Sequence, residues 1–229
     1  MTHRLVVLVS GSGSNLQAII DAIADGGLEA TITAVISNRA SAFALERAAA
    51  AGIATQVINN ADHPDRDSFD RALVSAIDAA GADTVVLAGF MRILTPAFVR
   101  QYHGRLLNIH PSLLPRHRGL DTHARALDAG DSEHGCSIHF VTEQLDGGPL
   151  VAQARFSVDR NDCADSLSKK VQQLEHQLYP LVLRWRAQQR LCWTDDGVLL
   201  DDTPVAENGI QFDQRSGIAD LPRVASGSR

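Results

Sequence analysis

Apolar positions along the first 110 residues switch repeatedly between a strand spacing and a helix spacing. Residues 4–9 form a short β-rich apolar run that ends in Ser10-Gly-Ser-Gly-Ser14. Leu16, Ile19, Ile20 and Ile23 then recur at i, i+3, i+4 and i+7, the stripe of one helix face, until Gly26-Gly27 stop it. Residues 32–37 read as a second strand. Ser41 opens an Ala-rich helix that Gly52 closes, and residues 55–58 read as a third strand. Phe69, Leu73 and Ile77 share one face of the next helix, closed by Gly81. Residues 84–87 are an apolar strand, Pro96 starts a short helix, and residues 106–110 form the following strand. Strand and helix in alternation predict a parallel sheet covered on both faces.

The rhythm changes after residue 135. Residues 136–141 and 150–156 are two strands separated by the turn-rich Thr142-Glu-Gln-Leu-Asp-Gly-Gly-Pro149, which predicts a hairpin and an antiparallel addition at the sheet edge. A long helix follows over residues 164–188, with Leu167, Val171, Leu174 and Leu178 on one face and an expected kink at Pro180. The expected fold is therefore α/β: doubly wound and Rossmann-like, with a mainly parallel sheet, an antiparallel edge hairpin and a long C-terminal helix. Residues 1–202 read as one domain. Residues 203–229 are polar and aperiodic and read as a loosely ordered tail.

At 229 residues, 45% hydrophobic, the chain can bury one sizeable core. Its formal net charge of −6 argues against a nucleic-acid surface, which would need a basic patch, yet leaves room for a local anion site. Cys136, Cys163 and Cys192 are scattered and form no CxxC, as expected of reduced thiols. The first apolar run is too short for a signal peptide or a membrane span, so the expected location is the cytoplasm, without membrane or nucleic-acid partners.

The densest chemistry lies in Asn108-Ile-His110-Pro-Ser-Leu-Leu-Pro115. A strand has a period of two, so Asn108 and His110 leave the same face. An amide donor can polarise a carbonyl oxygen while an imidazole beside it manages a proton, which is what acyl-type transfer requires. The prolines stiffen the turn that follows. Gly11-Ser-Gly-Ser-Asn15 sits between the first strand and the first helix, where free N–H groups and the helix dipole favour an anion. A dinucleotide fingerprint is opposed by Leu16 at its third glycine position and by Ser37-Asn38-Arg39, which lacks an acidic ribose ligand; a phosphomonoester suits the loop better. Asp146 is either plain Asp-Gly turn chemistry or a carboxylate brought to His110 to stabilise its imidazolium, and spacing does not choose between them. His110, His117, His123 and Asp121 follow no metal-ligand spacing, so no metal is expected. His139 lies in an apolar strand and reads as a core residue. Arg66 and Arg92 read as surface cations unless a carboxylate ligand passes nearby.

Together these motifs resemble those of the phosphoribosylglycinamide formyltransferases, folate-dependent enzymes of purine synthesis. The resemblance runs from Leu5 to Trp193 and rests on Ser10-Gly-Ser-Gly-Ser-Asn-Leu-Gln17, Leu87-Ala-Gly-Phe-Met-Arg-Ile-Leu94, the Asn108–Pro115 segment, His134-Gly135, Leu145-Asp-Gly-Gly-Pro149 and Glu175-His176. It implies that Gly13, Ser14, Asn15, Leu16 and Gln17 hold the phosphate of phosphoribosylglycinamide, with Glu175 at its glycinamide end. It implies that Arg66, Met91, Arg92, Ile93, Leu94, Asn108, Thr142, Glu143, Gln144, Leu145 and Asp146 bind the co-substrate 10-formyltetrahydrofolate. Asn108, His110 and Asp146 would be the catalytic group, and the Leu114–Pro115 bond would be cis. The implied assembly is a monomer or a weak homodimer.

Two places depart from the family. His117-Arg118 stands where relatives often have an aromatic residue and Pro, and Asp121 stands where some carry His, so no role is carried onto Asp121. The related methionyl-tRNA formyltransferases need a further C-terminal domain, and formyltetrahydrofolate deformylases carry a domain before the core; the length of this chain is expected to suit neither. An NADP-binding oxidoreductase, argued from the glycine loop and Arg39, or a non-enzymatic nucleotide-binding module would leave Asn108, His110 and the Asp146 loop without a joint purpose.

Overall fold

Strand β1 (His3–Val9) sets the layering, because Leu5, Val7 and Val9 enter one apolar cluster while Val6 and Leu8 enter another on the opposite face. The computed structural model describes residues 2–195 and 197–213. Helix α1 (Ser14–Ala24) follows β1, and then come β2 (Ala30–Ser37), α2 (Phe43–Ala50), β3 (Thr55–Val57), α3 (Arg66–Ala80), β4 (Thr84–Leu87), α4 (Pro96–Gln101) and β5 (Leu106–His110). The remainder is α5 (Thr122–Asp128), β6 (Glu133–Phe140), β7 (Leu150–Ser157), α6 (Ala164–Ala187), β8 (Leu191–Thr194), β9 (Gly197–Leu200), β10 (Thr203–Pro204) and β11 (Ile210–Asp213).

The eight-stranded sheet has the order β11-β7-β6-β5-β4-β1-β2-β3, and β8, β9 and β10 form a separate three-stranded sheet. In the large sheet only β6 is antiparallel to its neighbours. The chain builds outward from β1 to β3 and returns to β4, so the strand order reverses between β1 and β4. The crevice beyond the carboxyl ends of such strands is where open α/β sheets place ligands. The β6–β7 hairpin joins where the parallel run ends, and β11 adds one further strand outside it.

One face of the sheet is covered by α1, α2 and α6, whose Leu16, Ile19, Ala44, Ala48, Leu167, Val171 and Trp185 are buried in the first cluster. The other face is covered by α3 and α4 through Phe69, Leu73, Ile77 and Phe98. Each such side chain contributes about 1.5–3 kcal/mol of burial if it is large and aliphatic or aromatic. Gly81 ends α3 in the left-handed region (φ 66°), as the sequence predicts, and Asp65 caps its start through the N–H of Ser68. Helix α6 runs unbroken through Pro180, where the sequence leads one to expect a kink. Inside α6 the buried Tyr179 hydroxyl lies 3.0 Å from both the Leu87 and Leu107 carbonyls, pinning the helix to the ends of β4 and β5.

The C-terminal part departs from the expected loose tail. Residues 203–204 and 210–213 form β10 and β11, and β11 pairs with β7 from Ile210↔Ala152 to Asp213↔Arg155. Four residues carry too little periodicity to be read as a strand without their partner. Residues 214–229 of that expected tail lie outside the described residues.

Candidate active site

β5 delivers Asn108 and His110 beside β6, where Asn108 pairs with His139 and His110 with Ser137. The Asn108 amide Nδ2 lies 3.1 Å from His139 Nε2. On the other side of that ring, His139 Nδ1 is 2.9 Å from the Phe140 carbonyl oxygen. A carbonyl can only accept, so Nδ1 carries the hydrogen and Nε2 accepts from Asn108. Burial pushes the His139 imidazole below the ordinary histidine range, in keeping with this neutral form. His139 is thus a buried residue, as expected, but it is also the group that orients Asn108.

The loop leaving β6 turns back over these residues. It places Asp146 Oδ2 3.5 Å from His110 Nδ1 and Asp146 Oδ1 3.8 Å from His139 Nε2. Asp146 lies in the left-handed region (φ 46°) of a turn closed by Gly147 N–H on the Gln144 carbonyl. Both sequence readings of Asp146 therefore coexist: it makes the turn, and the turn carries its carboxylate to the imidazole. Gly148 is required by close approach, since a Cβ there would stand 1.8 Å from the Phe140 carbonyl oxygen. His110 Nε2 lies 2.9 Å from the His117 carbonyl, and Gly119 N–H donates to Asp146 Oδ2 at 2.8 Å. The Leu114–Pro115 bond is cis, and the turn beneath it is held by Ser137 Oγ accepting from Leu114 N–H and Gln153 Nε2 donating to the Leu114 carbonyl.

At the carboxyl end of β1, Gly13 starts α1 with φ 72°, and the first turn of that helix has neither a side-chain cap nor an acidic residue. A helix start of this kind favours an anion. Leu16 is buried in the core, so only its main chain faces the loop. Ser14 Oγ accepts from Gln172, and Gln17 is engaged by Asp21 and Arg47. Arg47 also donates to the Ser12 carbonyl, and a groove of about 430 Å³ beside it is lined by Ser14, Gln17, Arg47 and His176. Glu175 is not the solvated residue its helix position permits. It is buried, accepts from Asn15 Nδ2 at 2.9 Å, and burial pushes its carboxyl up to about 7. Asn15 Oδ1 is buried with no hydrogen-bond partner, an acceptor facing nothing that the chain supplies.

The loop after β4 exposes Met91 and Ile93, and the loop after β6 exposes Leu145. The first loop is fixed at both ends: Met91 N–H donates to Ser10 Oγ at 2.8 Å, and Thr95 N–H to the buried Asp70 carboxylate at 2.6 Å. Ser10 in turn donates to Asn38 Oδ1, which turns Asn38 inward. Sequence reasoning missed Ser10 and Asp70 in this role because their partners are 81 and 25 residues away. Arg92 lies over the Phe69 ring, Glu143 pairs with Arg100, and Thr142 Oγ1 bonds the Gln144 carbonyl. Arg66, exposed at the start of α3, makes no hydrogen bond or ion pair with these groups. His117 pairs with Asp131 and His123 with His134, and among the described residues no His, Cys, Asp or Glu cluster is placed to hold a metal ion. No helix of the described chain is long and apolar enough to cross a membrane.

Residues 3–183 match the family model described as formyl transferase. The chain is 51% identical over 211 residues to a phosphoribosylglycinamide formyltransferase of Escherichia coli K12, covering 92% of this chain and 100% of that one. It is 41% identical over 206 residues to the enzyme of the same name from Haemophilus influenzae, covering 90% and 97%. Among solved structures, a phosphoribosylglycinamide formyltransferase from Coxiella burnetii superimposes with a TM-score of 0.89 at 50% identity, covering 93% of this chain and 100% of that one.

Proposed function

The chain belongs to the formyl transferase family, and on that premise we propose that it moves a formyl group from 10-formyltetrahydrofolate to the amine of 5'-phosphoribosylglycinamide, a step of purine biosynthesis, with Asn108, His110 and Asp146 as its catalytic residues. The observation that carries this reading is the meeting of an oriented amide, an imidazole and a carboxylate at the end of β5, with Asp146 3.5 Å from His110. The glycinamide amine attacks the formyl carbon, and a tetrahedral oxyanion develops. Asn108 donates a hydrogen bond to it from an amide that His139 holds in place, and protonated His110 donates another while Asp146 balances the imidazolium charge. Collapse of the oxyanion breaks the bond between the formyl carbon and N10 of the folate, and the proton lost by the attacking nitrogen ends on N10. No bond to the protein forms along this route.

The uncapped first turn of α1 receives the phosphate through the main-chain N–H groups that precede Gln17, whose own N–H is bonded to the Gly13 carbonyl, with the Gln17 side chain beside it. The glycinamide end lies against Asn15 and Glu175, where the unpartnered Asn15 Oδ1 accepts one of its N–H groups. The exposed apolar residues Met91, Ile93 and Leu145 cover the folate rings, with Arg66 toward the carboxylate end. Both substrates are small and water-soluble, which suits a cytoplasmic enzyme needing no metal.

The deciding measurement is a spectrophotometric assay with 10-formyltetrahydrofolate, with and without glycinamide ribonucleotide. Tetrahydrofolate formed only with the amine present is the expected result. Product formed equally without it identifies a hydrolase, and no product in either mixture overturns the reading.

A further inference from the structure

His110 and Asp146 are held by one short stretch of main chain. The His117 carbonyl takes the hydrogen of His110 Nε2 at 2.9 Å, and two residues on, the Gly119 N–H donates to Asp146 at 2.8 Å. Because a carbonyl can only accept, Nε2 keeps its hydrogen, and Nδ1, which faces Asp146, is the ring atom whose protonation can change. The stretch is not relaxed. His117 sits in the left-handed region at φ 54°, a conformation that a residue with a Cβ adopts only when its surroundings hold it there.

What holds it is visible. His117 Nε2 lies 2.8 Å from Asp131 Oδ2, and Arg116 pairs with the other oxygen of the same carboxylate. The Asp131 side chain is 4% exposed. It stands after α5, 14 residues from His117, and touches none of the groups assigned to chemistry. Ser112 Oγ donates to the Arg116 carbonyl, and Arg125 donates to that of Arg118. Loss of Asp131 frees both side chains that tether the stretch from below.

Resting on the formyl-transfer reading above, we propose that Asp131 is a positioning residue for this enzyme: through His117 it fixes the main-chain carbonyl that directs His110 Nδ1 toward Asp146 and the reacting carbon. Loss of one such orienting hydrogen bond corresponds to a rate change of about 10-fold or more.

The test compares wild type with Asp131→Asn and His117→Phe, the second removing the ring nitrogen that bonds Asp131 while leaving the Arg116–Asp131 pair intact in case the first fails to fold. Folded protein is quantified by circular dichroism. The expected result is a kcat lowered about 10-fold or more in both variants, with KM for either substrate essentially unchanged. Nitrogen-15 spectra of the His110 ring, which need no activity, are expected to show a hydrogen-bonded Nε2–H in wild type and its loss or a tautomer mixture in the variants. Folded variants with unchanged kcat and an unchanged His110 spectrum overturn the proposal. So does a rise in KM at constant kcat, which would place Asp131 in substrate binding. If wild type fails to transfer formyl at all, the ring spectra still decide whether Asp131 positions His110.

Discussion

The side chains of Asn108 and His139 face each other across β5 and β6, and in the hydrogen bond between them the imidazole is the acceptor. The amide is therefore turned with its nitrogen toward β6, and one Nδ2 hydrogen remains for an incoming oxygen. Replacing His139 by Phe removes the acceptor and leaves the amide free to rotate. We expect kcat to fall about 10-fold or more, the equivalent of one lost orienting hydrogen bond of about 1–1.5 kcal/mol. His139→Gln, whose carbonyl can accept, should recover part of the loss. Equal rates for His139→Phe and wild type would remove His139 from the site.

Asp146→Asn keeps the shape of the turn and the acceptor for Gly119 N–H but removes the charge beside His110. Turnover should fall by about 10²–10⁴-fold, with thermal stability close to that of wild type. A pH–rate profile identical to wild type would show that the His110–Asp146 pair does not operate.

Gly13 is the tightest point of the loop between β1 and α1. A Cβ there would meet Ala44 Cβ at 2.6 Å and its Cα at 2.7 Å, in a backbone with φ +72°. Gly13→Ala must move α2 away from the loop, so it should lower stability by about 1–3 kcal/mol and raise KM for the phosphorylated substrate far more than for the folate. Calorimetry and steady-state kinetics read the two effects separately. An unchanged KM for the phosphorylated substrate would move the phosphate elsewhere.

Glu175 gives the protein a pH signature. Its carboxyl titrates at about 7 in the folded chain against 4.5 when exposed, because burial penalises the anion. The native state thus binds more protons than the unfolded state between these values. Its contribution to stability is fully present below about pH 4.5 and is lost as pH rises through about 7. Glu175→Gln should therefore be more stable than wild type at pH 8, by up to about 3 kcal/mol, and indistinguishable from it near pH 4.5 or below. His134 acts with the opposite sign: burial lowers it to about 4, so its contribution is lost as pH falls from 6.5. Denaturant titrations across pH 4 to 8 on wild type and Glu175→Gln test the first effect, and a pH-independent difference would refute it.

Local chemistry was legible in the sequence, and long-range pairing was not. The i, i+3, i+4, i+7 stripe of Leu16, Ile19, Ile20 and Ile23 is a property of eight neighbouring residues, and α1 forms where it predicts. Asn108 and His110 share a strand, so their common face follows from backbone geometry alone. His139 looks the same in sequence whether an apolar strand merely buries it or a register of β5 on β6 sets it against Asn108. Asp131 belongs to the same class, since only the packing of the turn after α5 against the loop before it brings Asp131 to His117. The strands β8, β9 and β11 are four residues each, too short for a period to declare itself.

Among the described residues the large sheet is bounded by β3, three residues long, and by β11, four residues long. An edge strand offers its unpaired N–H and C=O groups as a template for another molecule, and the hazard grows with its length. The longer strands, from β1 and β2 to β6 and β7, are all interior. The apolar runs that make the core are in this way kept away from the sheet edges, and among the described residues each edge strand has four residues or fewer.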